Sequence, residues 1–261
     1  MTTRLTAASA ALPSGAGMPL LGFGTWQMRG AEAARAVTWA LDTGYRHLDT
    51  AKVYGNESEV GRALAESPVA REDVFVTTKC PPGDSGHELD TLRRSLDQLR
   101  TDRVDLWLVH WPAADRPDSQ LWSGFVHARD EGLARDIGVS NYSLEQIDEI
   151  TASTGVAPAV NQVEWSPLLF DRTVLDGHRQ RGVVLEGYSG LRGGTLTHPD
   201  VVAVAERYAV TPAQVIVRWH LQHGVVVIPK SAQQERIRSN ADVDGLVLDD
   251  ADMARLDALG G

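Results

Sequence analysis

Residues 104–110 read Val104-Asp105-Leu106-Trp107-Leu108-Val109-His110. Apart from one acid the run is apolar throughout, and it stops abruptly on a histidine. A strand with one wet face alternates apolar and polar residues; a run apolar on both sides suits a parallel strand covered on both faces. Similar runs recur outward from it, at Leu20–Thr25, His47–Thr50 and Val74–Thr78 before it and Asp136–Val139, Ala159–Val163, Val183–Tyr188 and Val225–Ile228 after it. Between them lie stretches with helical spacing: Ala31–Asp42, Ser58–Glu66, Glu88–Arg100, Ser119–Glu131, Leu144–Thr151, Thr173–Arg181, Pro212–Gln222 and Gln233–Asn240, with a last one at Asp249–Leu259. Ser143 and Thr211 stand where helix caps belong, and Gly44 and Gly132 where helices stop. Strands alternating with helices in this way predict an α/β fold, a (β/α)₈ TIM barrel. The rival doubly wound sheet expects a third glycine after the first strand, and Leu21-Gly22-Phe23-Gly24-Thr25-Trp26 lacks it. Ahead of the first strand, Leu5–Leu12 and Pro13-Ser14-Gly15-Ala16-Gly17 read as a β-hairpin closing the bottom of the barrel. No linker interrupts the pattern, so residues 1–261 read as a single barrel domain.

Composition narrows the function classes. Hydrophobic residues are 43% and charged residues 23% of the chain, as in a globular protein with a sizeable core. Asp and Glu number 35 against 25 Lys and Arg, a net charge of −10, which argues against nucleic acid or an anionic membrane as partner. The lone cysteine, Cys80, forms no intrachain disulfide and fits a reducing compartment. No apolar run reaches the roughly 18–20 residues that span a bilayer, and Met1–Leu12 lacks the core of a signal peptide. The expected setting is soluble and cytoplasmic. With no surplus apolar helix face, the default is a monomer, and no metal site is expected.

Polar residues stand where the apolar runs stop. Asp49, Lys79, His110 and Asn141 follow one another at intervals of 30, 31 and 31 residues. Gln162, then Tyr188 and Ser189, then Lys230 and Ser231 occupy the later strand ends. In a barrel these positions share the C-terminal mouth, where active sites form. Each has an ordinary alternative: Asp49 as a turn cap, Lys79 as a solvated side chain, His110 as a satisfied core histidine, Tyr54 as a packing aromatic. Taken together, an Asp, a Tyr, a Lys and a His at one mouth make a device for proton donation. A phenol is a poor acid at neutral pH; a nearby ammonium favours the phenolate, and a carboxylate holds the ammonium in place.

These segments resemble the aldo-keto reductase family. The resemblance is carried by Leu48-Asp49-Thr50-Ala51 with Lys52-Val53-Tyr54-Gly55-Asn56-Glu57, by Thr77-Thr78-Lys79, and by Leu108-Val109-His110-Trp111-Pro112. It continues through Ile137-Gly138-Val139-Ser140-Asn141, Asn161-Gln162-Val163-Glu164, Ile228-Pro229-Lys230-Ser231 and Glu235-Arg236-Ile237-Arg238-Ser239-Asn240, covering about Met18 to Leu259. The wording is similar to the bacterial branch of 2,5-diketo-gluconate reductases. The resemblance implies NADPH-dependent reduction of aldehydes and ketones, with Tyr54 giving a proton to the carbonyl oxygen, Lys79 and Asp49 lowering its pKa, and His110 orienting the carbonyl. It implies a nicotinamide stacked on Tyr188 and held by Ser140, Asn141 and Gln162. Thr25, Ser189 and Leu191 would also line the cofactor, and Asn240 would face the adenine. Lys230, Ser231 and Arg236 offer two cations and a hydroxyl beside a helix start, which suits a 2′-phosphate and hence NADPH over NADH; a solvated charge run is the alternative.

Three departures from the family pattern bear on substrate. Ser189-Gly190-Leu191-Arg192-Gly193-Gly194 replaces a Ser-Pro-Leu-Gly wording, with Arg192 either on the pyrophosphate or solvated. The segment from Pro112 to Gln120 is short, which implies a low pocket wall. The residues after the last helix are few, so a tail over the pocket is expected to be truncated. The pocket is expected to be lined by Trp26, Tyr54 and Trp111, with Cys80 and Pro81 near, and to accept bulky carbonyl compounds. Trp39, Trp107, Trp122, Trp165 and Trp219 read as core or helix-packing residues, and Cys80 as inert. Two other readings stand beside this one. One is a Schiff-base barrel enzyme with Lys79 as nucleophile; the other is an NADPH-binding regulatory protein of reductase descent.

Overall fold

The computed structural model describes residues 8–113 and 119–260. The chain opens with a hairpin of β1 (Ser9–Ala11) and β2 (Gly17–Pro19), paired antiparallel with Ser9 opposite Pro19. The Leu12 N–H donates to the Ala16 carbonyl at 2.9 Å across the turn, and Gly15 takes the left-handed conformation there. Leu12 and Met18 are buried among Leu20, Phe75, Leu106, Leu108, Val160 and Val226, so the hairpin plugs the N-terminal end of the barrel. Of the expected hairpin, Leu5–Ala7 lie outside the described residues.

Eight parallel strands follow: β3 (Phe23–Gly24), β4 (His47–Asp49), β5 (Phe75–Cys80), β6 (Val104–Val109), β7 (Ala134–Ser140), β8 (Val160–Glu164), β9 (Val184–Tyr188) and β10 (Val226–Val227). Each pairs with the next in chain order. A parallel bridge between Leu21 and Val227 closes the ring, with the Gly22 N–H on the Val227 carbonyl at 2.9 Å and the Val227 N–H on the Leu20 carbonyl at 2.8 Å. The helices are α1 (Gly30–Thr43), α2 (Glu57–Glu66), α3 (Glu88–Leu99), α4 (Ser119–Asp130), α5 (Leu144–Thr154), α6 (Arg172–Gln180), α7 (Pro199–Arg207), α8 (Pro212–Gln222), α9 (Gln234–Ala241) and α10 (Asp250–Asp257). This is the expected (β/α)₈ barrel.

Successive side chains of a strand point to opposite faces, so each strand serves two cores. Outward, Leu48, Val76, Trp107, Val109, Ile137 and Val139 meet the inner faces of the helices. Trp107 lies flat on Phe125 of α4, with centroids 3.7 Å apart. Trp122, Trp165 and Trp219 are buried too, and Trp39 packs against the core. Inward, the bottom of the barrel is apolar and the top polar. Two glycines permit close approach: a Cβ on Gly61 of α2 would fall 2.3 Å from the Gln98 carbonyl at the end of α3, and one on Gly138 of β7 would fall 2.5 Å from the Val160 carbonyl.

The caps behave as expected. Ser143 and Thr211 each form a capping box, with Gln146 and Gln214, and Gly44 and Gly132 end their helices at positive φ. Strands β3 and β10 are shorter than the apolar runs Leu20–Thr25 and Val225–Ile228: each pairs through two residues with a single ladder neighbour, β4 and β9 respectively. Helix α7 was not among the expected elements. Its Val201-Val202-Ala203-Val204 core is too uniformly apolar to show helical spacing, although Pro199 at its first turn marks the start.

Candidate active site

The strand ends converge on one mouth. Asp49 ends β4, Lys79 lies late in β5, His110 follows β6, Ser140 and Asn141 close β7, Gln162 lies in β8, Tyr188 ends β9 and Lys230 follows β10. A cleft of about 660 Å³ opens above them, lined among others by Trp26, Tyr54, His110, Trp111, Asn141 and Tyr188.

Lys79 is fully buried. Its Nζ lies 2.7 Å from both Asp49 carboxylate oxygens and 2.9 Å from the Thr50 carbonyl. Burial, the largest single influence, would lower its pKa, but the Asp49 carboxylate, aided by Tyr54 and Glu186, more than offsets it and holds Lys79 above the usual lysine value. Lys79 is therefore a fixed ammonium, enclosed and charged, which is the reverse of what a Schiff-base nucleophile needs. Tyr54 ends a single 3₁₀ turn (Lys52–Tyr54) ahead of α2, and its ring centroid is 5.2 Å from the Lys79 Nζ. Burial pushes the phenol above its ordinary pKa and Lys79 pulls against it, with burial the larger. The expected net lowering is thus not what the balance gives; desolvation wins. The Tyr54 and His110 rings meet edge-on at 5.7 Å. Burial, aided by Lys79, lowers His110 to about 4, so its imidazole is neutral at physiological pH.

Asn56, one turn past Tyr54, fastens this corner. Its Nδ2 donates to the Thr25 and Met28 carbonyls at 2.8 and 3.0 Å, and its Oδ1 accepts from Thr50 Oγ1 at 2.9 Å. The Trp26 loop and the Tyr54 turn are thereby held together.

On the far wall, Ser140 Oγ donates to the Gln162 carbonyl at 2.8 Å and accepts from Asn141 Nδ2 at 3.0 Å. Tyr188 Oη donates to Asn141 Oδ1 at 2.8 Å. Asn141 and Ser189 hold positive φ of 65° and 58°, an uncommon conformation for residues other than glycine. Gln162 Nε2 donates to Asp49 Oδ2 at 2.8 Å and to Glu186 Oε2 at 2.9 Å. Its Oε1 accepts from no described residue and is left for the cleft.

The other expected residues are placed unevenly. Ser189 and Leu191 line the cleft, as does Arg192, whose guanidinium lies over the Trp26 ring at 4.8 Å. Thr25 does not: it is fully buried, and its hydroxyl donates to the Asp49 carbonyl at 2.9 Å. Lys230 lines the cleft, whereas Ser231, Arg236 and Asn240 lie beyond its edge along the start and body of α9. Lys230 and Arg236 are exposed and make no ion pair with a described residue, and α9 lacks a side-chain cap at its N-terminus. Two free cations beside an uncapped helix start fit a phosphate group, so the residues present suit a phosphorylated dinucleotide. Cys80 does not line the pocket. Its side chain turns to the helix side, and burial raises its thiol to about 12, as expected of an inert cysteine. Part of the short wall from Pro112 to Gln120 lies outside the described residues. Gln27, Val53 and Glu164 line the cleft without having been singled out in sequence. Glu186 and His47, buried in the barrel beneath it, were also missed. The signal for Glu186 was its place two residues before Tyr188, on the same face of one strand.

The sequence profile of the aldo/keto reductase family matches residues 20–260. The chain belongs to the aldo/keto reductase family. An aldo-keto reductase of Mycolicibacterium smegmatis is 41% identical to it over 99% of this chain and 94% of that protein. An aldo-keto reductase of Mycobacterium tuberculosis is 46% identical over 94% and 87%. Among solved structures, an aldo/keto reductase from Brucella melitensis superposes with a TM-score of 0.93 at 38% identity, covering 97% of this chain and 100% of that one. The aldose reductase from Schistosoma japonicum superposes at 0.92 with 31% identity, covering 97% and 93%. As an aldo/keto reductase the protein is an oxidoreductase acting in carbonyl reduction with a nicotinamide cofactor. Among the described residues no helix of this reductase is long and apolar enough to cross a membrane, and no cluster of His, Cys, Asp and Glu could hold a metal ion.

Proposed function

We propose that the protein is an NADPH-dependent reductase of aldehydes and ketones, with Tyr54 as proton donor. The observation that carries this reading is the pairing of Tyr54 and His110 at the cleft floor, directly over a Lys79–Asp49 ion pair sealed from solvent. Bound NADPH supplies a hydride to the carbonyl carbon. Tyr54 donates its proton to the carbonyl oxygen. Burial keeps that phenol protonated and ready at neutral pH, while the Lys79 ammonium stabilises the phenolate left behind. Asp49 holds Lys79 in place and charged. His110, neutral, donates a ring N–H to the same oxygen and fixes the approach of the substrate. Gln162 offers its outward Oε1, Ser140 its hydroxyl and Asn141 its amide to the nicotinamide carboxamide, with Tyr188 as the stacking face. Lys230, Ser231 and Arg236 take the 2′-phosphate, and Asn240 the adenine side.

The substrate class follows from the rim. Trp26, Val53 and Trp111 are exposed at the mouth and line the cleft, which suits carbonyl compounds with an apolar or aromatic body. The enclosed ammonium of Lys79 weighs against imine chemistry, and the intact proton-donating group weighs against a role in binding alone. The deciding experiment follows NADPH oxidation by absorbance with aldehydes and ketones graded by size, for the parent and for Tyr54→Phe. The expected result is faster turnover of bulky aromatic substrates than of the smallest aldehydes, and a loss of about 10²-fold or more in kcat for the variant with NADPH binding retained. Unchanged turnover by Tyr54→Phe refutes the proton donor; turnover of small aldehydes alone refutes the open pocket.

A further inference from the structure

Beneath the mouth, the barrel encloses two ionisable side chains that the mechanism above does not use, Glu186 on β9 and His47 on β4. Both are fully buried. Glu186 Oε2 accepts from Gln162 Nε2 at 2.9 Å, and the same nitrogen donates to Asp49 Oδ2 at 2.8 Å. Glu186 Oε1 has no hydrogen-bond partner among the described residues. His47 Nε2 lies 3.7 Å from it, beyond hydrogen-bond reach, and instead meets Thr77 Oγ1 at 3.2 Å.

Two consequences follow. The first concerns Gln162. Its amide nitrogen carries two hydrogens, and both are taken by carboxyl oxygens below the mouth. The nitrogen end must therefore face inward and the oxygen end the cleft. Asp49 accounts for one hydrogen only; without Glu186 the second is buried unsatisfied and the amide is free to turn. The second concerns charge. The titratable and charged groups around Glu186 are His47 and Asp49 on β4 and Lys79 on β5, with Tyr54 above Lys79 and Asp105 acting on His47. Its ladder neighbours on β8 and β10 add Gln162 and Val226, neither of which titrates. Lys79 is the one cation in this group while His47 is neutral. An ionised Glu186 would set a second carboxylate near Lys79 and Tyr54, and a phenolate at Tyr54 would form less readily.

We propose that Glu186 is a positioning residue that acts in its neutral form, fixing the side-chain amide of Gln162 and sparing Tyr54 a second nearby carboxylate. The proposal rests on the reading of Tyr54 as proton donor. Burial, with Asp49 beside it, raises Glu186 to about 8, and burial lowers His47 to about 4, so the two are neutral together across the physiological range. As pH rises through about 8, Glu186 ionises, Tyr54 becomes a weaker acid and reduction slows.

The test compares pH profiles of kcat for carbonyl reduction in the parent and in Glu186→Gln, which keeps an acceptor for Gln162 but cannot ionise. The parent is expected to lose activity through an inflection near pH 8. The variant is expected to lack that inflection while binding NADPH within about twofold of the parent. Glu186→Leu, which removes the acceptor, is expected to weaken NADPH binding by about tenfold. Should these variants fail to fold, infrared spectroscopy of the parent reads the same group: a protonated-carboxyl band present near pH 7 and lost above pH 9 is expected, and its absence near pH 7 overturns the proposal. An inflection retained in Glu186→Gln, or absent from the parent, also overturns it. Tyr54→Phe assayed alongside separates the two ideas. If it is inactive while Glu186→Gln matches the parent, only the role of Glu186 fails; if it turns over normally, the proton donor fails first.

Discussion

Arg236 and Lys230 stand out because the chain is acidic on average and neither has a carboxylate partner among the described residues. An arginine left free in a chain of net charge −10 is available to an external anion, and its planar fork matches phosphate oxygens two at a time. Replacing Arg236 by Ala should raise the Kd for NADPH by about ten- to a hundredfold, the equivalent of one lost charge-assisted contact. NADH, which lacks the 2′-phosphate, should be held within about twofold of the parent. Fluorescence titration with both cofactors checks this, and equal weakening of the two would remove the phosphate role. At this scale the mouth was legible in sequence because Asp49, Lys79, His110 and Asn141 each break an apolar run at its end. Glu186 and His47 were not, because Glu186 sits in the middle of its strand and His47 opens its own, away from the end that faces the mouth. A polar residue there becomes conspicuous only once it is known which of the two faces points into the barrel.

Loops and strands act here as pairs across the cleft. The turn after β9 is tied down at Thr195, whose N–H and hydroxyl both donate to the Arg192 carbonyl, at 3.2 and 2.7 Å. That turn carries the Arg192 guanidinium onto the Trp26 indole of the loop after β3, at 4.8 Å. The glycines that break the expected wording, Gly193 and Gly194, both take positive φ and shape the turn that makes this reach possible. A cation–π contact of this kind contributes on the order of 1 kcal/mol. Arg192→Ala should therefore speed NADPH dissociation by about three- to tenfold in stopped-flow measurements, with the association rate little changed; an unaltered dissociation rate would show that the contact holds nothing shut. The alternation of elements was readable from periodicity alone, since a parallel strand buried on both faces and an amphipathic helix leave different patterns. Helix α7 escaped because a run of valines and alanines suits a strand or a helix equally.

The barrel as a whole favours neutral imidazoles. Burial lowers His47, His110 and His220 to about 4 each, and lowers His178 and His223 as well. In the unfolded chain these groups titrate near 6.5. Below that value the unfolded state binds protons that the folded state refuses, so stability is full above about pH 6.5 and is lost as pH falls toward 4. Glu186 and Glu57, raised by burial, act in the opposite sense over part of the same window, but they are two carboxyls against five imidazoles. The melting temperature should decline steadily between pH 6.5 and 4 in scanning fluorimetry, and a flat profile there would contradict the burial of these rings. The ring itself has one thin joint. Strands β3 and β10 contribute two residues each, and a single bridge at Leu21 and Val227 joins first strand to last. Gly24 and Trp26 on one side of that joint, and Val227, Pro229 and Lys230 on the other, all line the cleft. A ligand lying there works as a clasp: it spans the least-laced join of the hoop, so occupancy and circular closure of the barrel reinforce each other.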